Sequence, residues 1–173
     1  MNTYLVLTVI GDDKPGLVES LSSVIAEHQG NWLESSMSQL AGKFAGILKV
    51  SVNKDNAESL VQALQGLSSD LKLVIEEAAV AESEEEPLTV ELNLMGNDRP
   101  GIVREISHAL AVLSINVEQL TTECSPAPMS GAQLFKTRAV LRVPKGVALD
   151  DLQNELENLA DDLMVEIKSG SDE

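Results

Sequence analysis

The chain is one sequence written twice, and an internal repeat constrains the architecture before any single element is considered. Shifted by 85 residues, Gly11-Asp12-Asp13-Lys14-Pro15-Gly16-Leu17-Val18 falls on Gly96-Asn97-Asp98-Arg99-Pro100-Gly101-Ile102-Val103. The register holds without a gap from Thr3 to Asn31, which lands on Asn116. Phe44 then matches Phe135 at a shift of 91, so the second copy carries six extra residues in between. Leu60, Leu64, Leu67, Leu71 and Leu73 match Leu152, Leu156, Leu159, Leu163 and Val165 at a shift of 92. The repeat predicts two like domains, residues 1–80 and 88–169. Between them residues 81–87 hold Glu82-Ser83-Glu84-Glu85-Glu86-Pro87, where like charges repel and proline resists helix, so an exposed acidic linker is expected. Residues 170–173 form a short acidic tail.

Within each copy the hydrophobic period changes in a fixed order. Leu5, Leu7 and Val9 alternate with Tyr4, Val6 and Thr8, a strand signal that Gly and Pro then break. Leu17, Leu21, Val24, Ile25 and His28 follow at helical spacing, as do Ile102, Ile106, Ala109, Leu110 and Leu113. An extended stretch from Asn31 leads to a turn at Ala41-Gly42-Lys43, and Phe44, Gly46, Leu48, Val50 and Val52 share one face of the next strand. A second amphipathic helix is expected over about Asn56 to Leu67, and a last strand over about Leu71 to Val74. The order is βαββαβ. Two helices packed on one face of a four-stranded antiparallel sheet make an α+β, ferredoxin-like fold in each copy.

Charge narrows the partners. Twelve Lys and Arg stand against 28 Asp and Glu, a formal net charge of -16. Both halves are acidic: residues 1–80 carry 5 basic and 10 acidic groups, residues 88–173 carry 7 and 14. Neither suits direct binding to nucleic acid, whose affinity rests on Lys and Arg neutralising phosphates, nor docking on an anionic membrane. No apolar run approaches the ~20 residues of a membrane helix, and no secretory signal follows Met1, so a cytoplasmic location is expected. One cysteine and two histidines offer no ready metal cluster, no nucleophile–base motif is visible, and no cofactor, metal or catalytic residue is expected.

The segment Asp-(Lys/Arg)-Pro-Gly-(Leu/Ile)-Val joins the first strand to the first helix in both copies. Proline sets φ near the helical value where no donor is needed. Glycine lets another backbone or a small ligand approach. The helix start leaves N–H groups that attract carboxylates, and Asp13 or Asp98 can cap them or meet a ligand ammonium. A free amino acid carries both complementary charges; a capped helix start without a ligand explains the same residues.

Asp-Arg-Pro-Gly-Ile-Val, followed eighteen residues after the Asp by Asn116 in Ile-Asn-Val, resembles an ACT domain. The first copy shows Asp13-Lys14-Pro15-Gly16-Leu17 and Asn31 at the same spacing. The resemblance implies an amino-acid-binding regulatory fold. Its ligand contacts would come from Asp13, Gly16, Leu17 and Asn31, and from Asp98, Gly101, Ile102 and Asn116. With the Asn expected beside the loop, these residues would converge on one corner of each copy. Two ACT-like copies without an enzyme or DNA-binding domain are similar to the glycine cleavage system transcriptional repressor family. That likeness implies a non-enzymatic regulator acting through a transcription activator, with glycine the leading effector. A detached regulatory subunit of an amino-acid metabolic enzyme has the same appearance.

Other features carry expectations of their own. The six-residue excess falls in Ser125–Ala132, either a tolerated insertion or a loop over the second site. Cys124 beside it reads as structural, His28 as partly buried on its helix stripe, and His108 as solvated. An RNA-binding domain shares the βαββαβ order but stacks bases on strand aromatics, absent from Val90–Leu94 and Ala139–Val143. Lys136, Arg138 and Arg142 alternate onto one strand face, where ion pairing or solvation accounts for them. The first strand of copy one is apolar on both faces, so the other copy, a second chain in a homo-oligomer, or a partner protein is expected to cover the face that helices leave open.

Overall fold

A computed structural model describes residues 1–78, 88–129 and 131–169. The expected linker at 81–87, the tail at 170–173 and Ser130 lie outside the described residues. The chain divides into two units, Met1–Glu82 and Ser83–Glu173.

In the first unit β1 (Asn2–Asp12), α1 (Leu17–Glu27), β2 (Asn31–Leu40), β3 (Lys43–Asn53), α2 (Lys54–Gln65) and β4 (Lys72–Glu77) follow the βαββαβ order. The second repeats it with β5 (Leu88–Asn97), α3 (Ile102–Val112), β6 (Asn116–Pro126), β7 (Gln133–Val143), α4 (Leu149–Glu157) and β8 (Met164–Ser169). The strand orders are β2-β3-β1-β4 and β6-β7-β5-β8, every neighbour antiparallel. Each unit is therefore a ferredoxin-like α+β fold.

Period-2 alternation sends Leu5, Leu7 and Val9 of β1, and Leu48, Val50 and Val52 of β3, into one core. Leu21 and Ile25 of α1 and Leu60 and Leu64 of α2 close it from above. Val90, Leu92, Leu94, Ile106, Leu110, Leu141, Leu152 and Leu156 do the same in the second unit. His28 ends α1 half-buried, its Nδ1 within 2.9 Å of the Val24 carbonyl oxygen, and His108 is exposed.

Three boundaries differ from expectation. Helix α2 starts at Lys54 because Asn53 caps it, its Oδ1 accepting the Asp55 N–H at 3.0 Å. Its last strand runs on to Glu77 along β1. The six extra residues of the second copy are not all loop: Ser125 and Pro126 pair with Leu134 and Gln133 and lengthen the β6–β7 hairpin. Beyond them the Ala127 N–H donates to the Ala132 carbonyl at 2.7 Å.

The helices leave one face of each sheet uncovered within its own unit. In the first unit that face carries Ile10, Ile47 at 56% exposure and Val74 at 57%, with Lys49 Nζ 5.1 Å from the centroid of the Tyr4 ring. In the second it carries charged residues. Arg138 is paired with Glu91 and Arg142 with Glu118, as ion pairing of the basic stripe predicts, whereas Lys136 forms no ion pair among the described residues.

Candidate effector site

Each loop between first strand and first helix is pinned to the neighbouring hairpin. The Asp13 N–H donates to the Gly42 carbonyl and the Asp98 N–H to the Gln133 carbonyl, both at 2.9 Å. The chain then turns through Gly16 at φ 92° and Gly101 at φ 86°, left-handed values that a side chain would strain. These glycines are the N-caps of α1 and α3, and no side chain caps either helix among the described residues. The capping alternative for Asp13 and Asp98 thus finds no support. An added Cβ at either glycine would meet nothing within 4 Å, so the corner is open to an approaching group.

Leu17 and Ile102 open the helices, but their side chains are 5% and 7% exposed core residues. They can offer a ligand only backbone. The Ile102 N–H already donates to the Arg99 carbonyl at 3.3 Å, leaving the next N–H groups of α3 without intrahelical acceptors. The basic residue of each motif is tied down: Lys14 pairs with Asp70, and Arg99 with Glu105. The hydrogen bond that Arg99 donates to the Glu105 carboxylate holds Arg99 still more firmly protonated and lowers the Glu105 carboxyl in return. Asp162 accepts the Asn97 N–H at 2.9 Å, and that bond holds its carboxyl below the usual range.

The Asn residues do not join this corner. Asn31 pairs with Ser51, which pairs with Tyr4, at the start of β1; Asp12, at its end, pairs with Lys43. Eight strand steps separate the two levels, roughly 25 Å. Asn116 stands likewise opposite Arg142 and Thr89, while Asn97 stands opposite Leu134. The reason is topological: β2 runs parallel to β1, so α1 must carry the chain back along the sheet before Asn31 begins the next strand. Within one unit Asp13, Gly16 and Leu17 gather at one end and Asn31 at the other; Asp98, Gly101 and Ile102 are separated from Asn116 in the same way.

Sequence reasoning read Cys124 as structural but missed its contact with Asp98. Cys124 lies on β6 opposite Phe135, itself opposite Gly96, which brings the exposed thiol against Asp98. Desolvation, followed by the Asp98 charge and hydrogen bond, pushes the thiol pKa up, so Cys124 is not an activated nucleophile. Only the hairpin register could have revealed the contact, since 26 residues separate the two in sequence. Among the described residues no group of three or more His, Cys, Asp or Glu is placed to hold a metal ion, and no helix is long and apolar enough to cross a membrane.

Residues 3–77 match the ACT domain family. A glycine cleavage system transcriptional repressor of Escherichia coli (strain K12) is 22% identical over 163 residues, spanning 92% of this chain and 85% of its own. Among solved structures, an unknown protein from Galdieria sulphuraria has a TM-score of 0.86 at 24% identity, covering 98% of this chain and 99% of its own. The crystal structure of a candidate glycine cleavage system transcriptional repressor has a TM-score of 0.70 at 18% identity, with 98% and 99% covered. Both structures share the fold. The chain is thus a tandem of two ferredoxin-like domains, of which the first matches the ACT domain family over residues 3–77, and as a whole it resembles the glycine cleavage system transcriptional repressors.

Proposed function

We propose that this chain is a non-enzymatic, amino-acid-responsive regulator of the glycine cleavage repressor type, acting in the cytoplasm through a partner transcription activator rather than on DNA. The observation that carries the reading is the likeness to the Escherichia coli repressor along 92% of the chain, through both copies. The net charge of -16 supports a protein partner over a polyanion. Glycine is the leading effector. Its ammonium would meet Asp13 or Asp98 and its carboxylate the N–H groups at the start of α1 or α3, with Gly16 and Gly101 leaving room. Leu17 and Ile102 take part through their backbone. Asn31 and Asn116 can share such a ligand only if a second copy of the chain presents them to the loop, so this reading ties binding to oligomerisation.

Two measurements test it. Copurification of the tagged full chain should bring down a transcription factor; recovery of a metabolic enzyme instead would favour a detached regulatory subunit. Calorimetric titration with glycine should show binding that Asp98→Ala or Asp13→Ala weakens by about 1–3 kcal/mol, the usual loss for a charged hydrogen bond. Absence of any stabilising amino acid in a thermal-shift screen would remove the effector from the proposal.

A further inference from the structure

The uncovered face of the second sheet carries one row of side chains that the regulatory reading does not use. Glu123 of β6 stands opposite Lys136 of β7, Lys136 opposite Met95 of β5, and Met95 opposite Met164 of β8. All four side chains therefore point to the same face, in a line about 14 Å long at one strand spacing per step. They line an open cleft of about 500 Å³ on that face, a volume ordinary for a small-molecule site. Thr121 and Glu166 lie in the next row of the same cleft.

The charges at one end of this row are unspent. Cross-strand neighbours sit close enough for opposite charges to pair, yet no ion pair joins Glu123 and Lys136 among the described residues. Other charges on the face are engaged: Arg138 donates to Glu91 at 3.1 and 3.2 Å, and Lys168 lies 3.6 Å from Glu166. An unpartnered cation and anion thus stand side by side, and beyond them come two thioether side chains. Met95 is half-buried and Met164 is 64% exposed. Methionine is flexible and polarisable and moulds to apolar ligands.

The first unit supplies an internal comparison. The corresponding row there reads Ser38, Ala45, Ile10 and Lys72. It lacks the charge pair and the methionines on the same scaffold, so the fold itself does not require them.

We propose that the outer face of the second sheet binds a zwitterion with an apolar tail, of the class of an α-amino acid with a long aliphatic or thioether side chain. The ligand carboxylate meets Lys136, its ammonium meets Glu123, and the side chain lies over Met95 and Met164. Met95 stands one strand spacing from Lys136, ~5 Å, a reach that a leucine or methionine side chain spans, and the flexible side chain of Met164 meets its far end. Glycine has nothing to place on the methionines. This site is separate from the loop corner and does not depend on it.

The test uses the full chain, isotopically labelled, titrated with L-leucine and L-methionine while backbone amide resonances are followed. Resonances of Glu123, Lys136, Met95 and Met164 should move, and those of Ser38, Ala45, Ile10 and Lys72 should not. Lys136→Ala and Glu123→Ala, both at exposed positions, should each weaken binding about tenfold or more, with circular dichroism confirming the fold. N-acetyl-L-methionine, which lacks the ammonium, and methioninol, which lacks the carboxylate, should bind correspondingly weakly. Unmoved row resonances, unchanged affinity in both variants, or equal binding of the N-acetyl compound would overturn the site. Binding of L-leucine and L-methionine that only Asp98→Ala or Asp13→Ala weakens would overturn this site and leave the regulatory reading standing; binding by no amino acid would remove both ligand assignments.

Discussion

Gly101 and Asp162 hold the strand–helix corner of the second unit by different means, and each yields a measurable consequence. Gly101 has φ 86° and empty space around its missing Cβ, so Gly101→Ala costs backbone strain and little else. A loss of about 1–2 kcal/mol in denaturant unfolding is expected. A much larger loss would point to a contact that the open corner does not show. Asp162 ties its carboxylate to the Asn97 N–H, and its pKa is lowered by that bond. Its contribution is therefore complete above the ordinary carboxylate range, near pH ~4, and disappears as pH falls through the lowered value. Melting temperature followed against pH should show Asp162→Ala below wild type near neutrality, with the two curves converging in acid. Neither the tie nor the Asp98–Cys124 contact is legible in sequence, because both partners are brought together only by strand register.

At the scale of the element, the helices are legible and their ends less so. Leu17, Leu21 and Ile25 recur at intervals of four and are buried, while Val18 on the same helix is 47% exposed. Leu21→Ala should cost about 2–5 kcal/mol and Val18→Ala no more than about 0.5 kcal/mol, measured by urea unfolding. The second helices of the two copies differ at their starts. Asn53 caps α2, whereas Ala148, in the same extended conformation, offers α4 no side-chain acceptor. Ala148→Asp should then stabilise the second unit by about 1 kcal/mol. An unchanged melting temperature would show that α4 gains nothing from a cap.

On the scale of the whole molecule, a net charge of -16 sets the long-range field. Two acidic halves oppose association with a polyanionic DNA duplex. The purified chain should show no affinity for duplex DNA at physiological salt in a fluorescence-anisotropy titration. Salt-sensitive binding would refute action through a partner. The two sheets have also diverged on their open faces: the first exposes Ile10, Ile47 and Val74 among its polar residues, and the second carries the Arg138–Glu91 and Arg142–Glu118 ion pairs. Surfaces diverge freely on a shared scaffold because an outward side chain carries none of the packing constraint that holds Leu7 and Leu92 in matching core positions.

The sequence by itself determined the repeat, the βαββαβ order and the two aliphatic cores, because all three follow from hydrophobic periods within short windows of chain. It also carried the loop glycines and the acidic field, which are local and additive properties. Only the tertiary structure decided which motif residues meet. A fixed spacing of eighteen residues suggested one corner for Asp98 and Asn116, but a helix that runs back along its sheet turns that spacing into a separation of roughly 25 Å. The row from Glu123 to Met164 was hidden for the complementary reason. Its four residues lie on four strands, and antiparallel pairing alone sets them side by side.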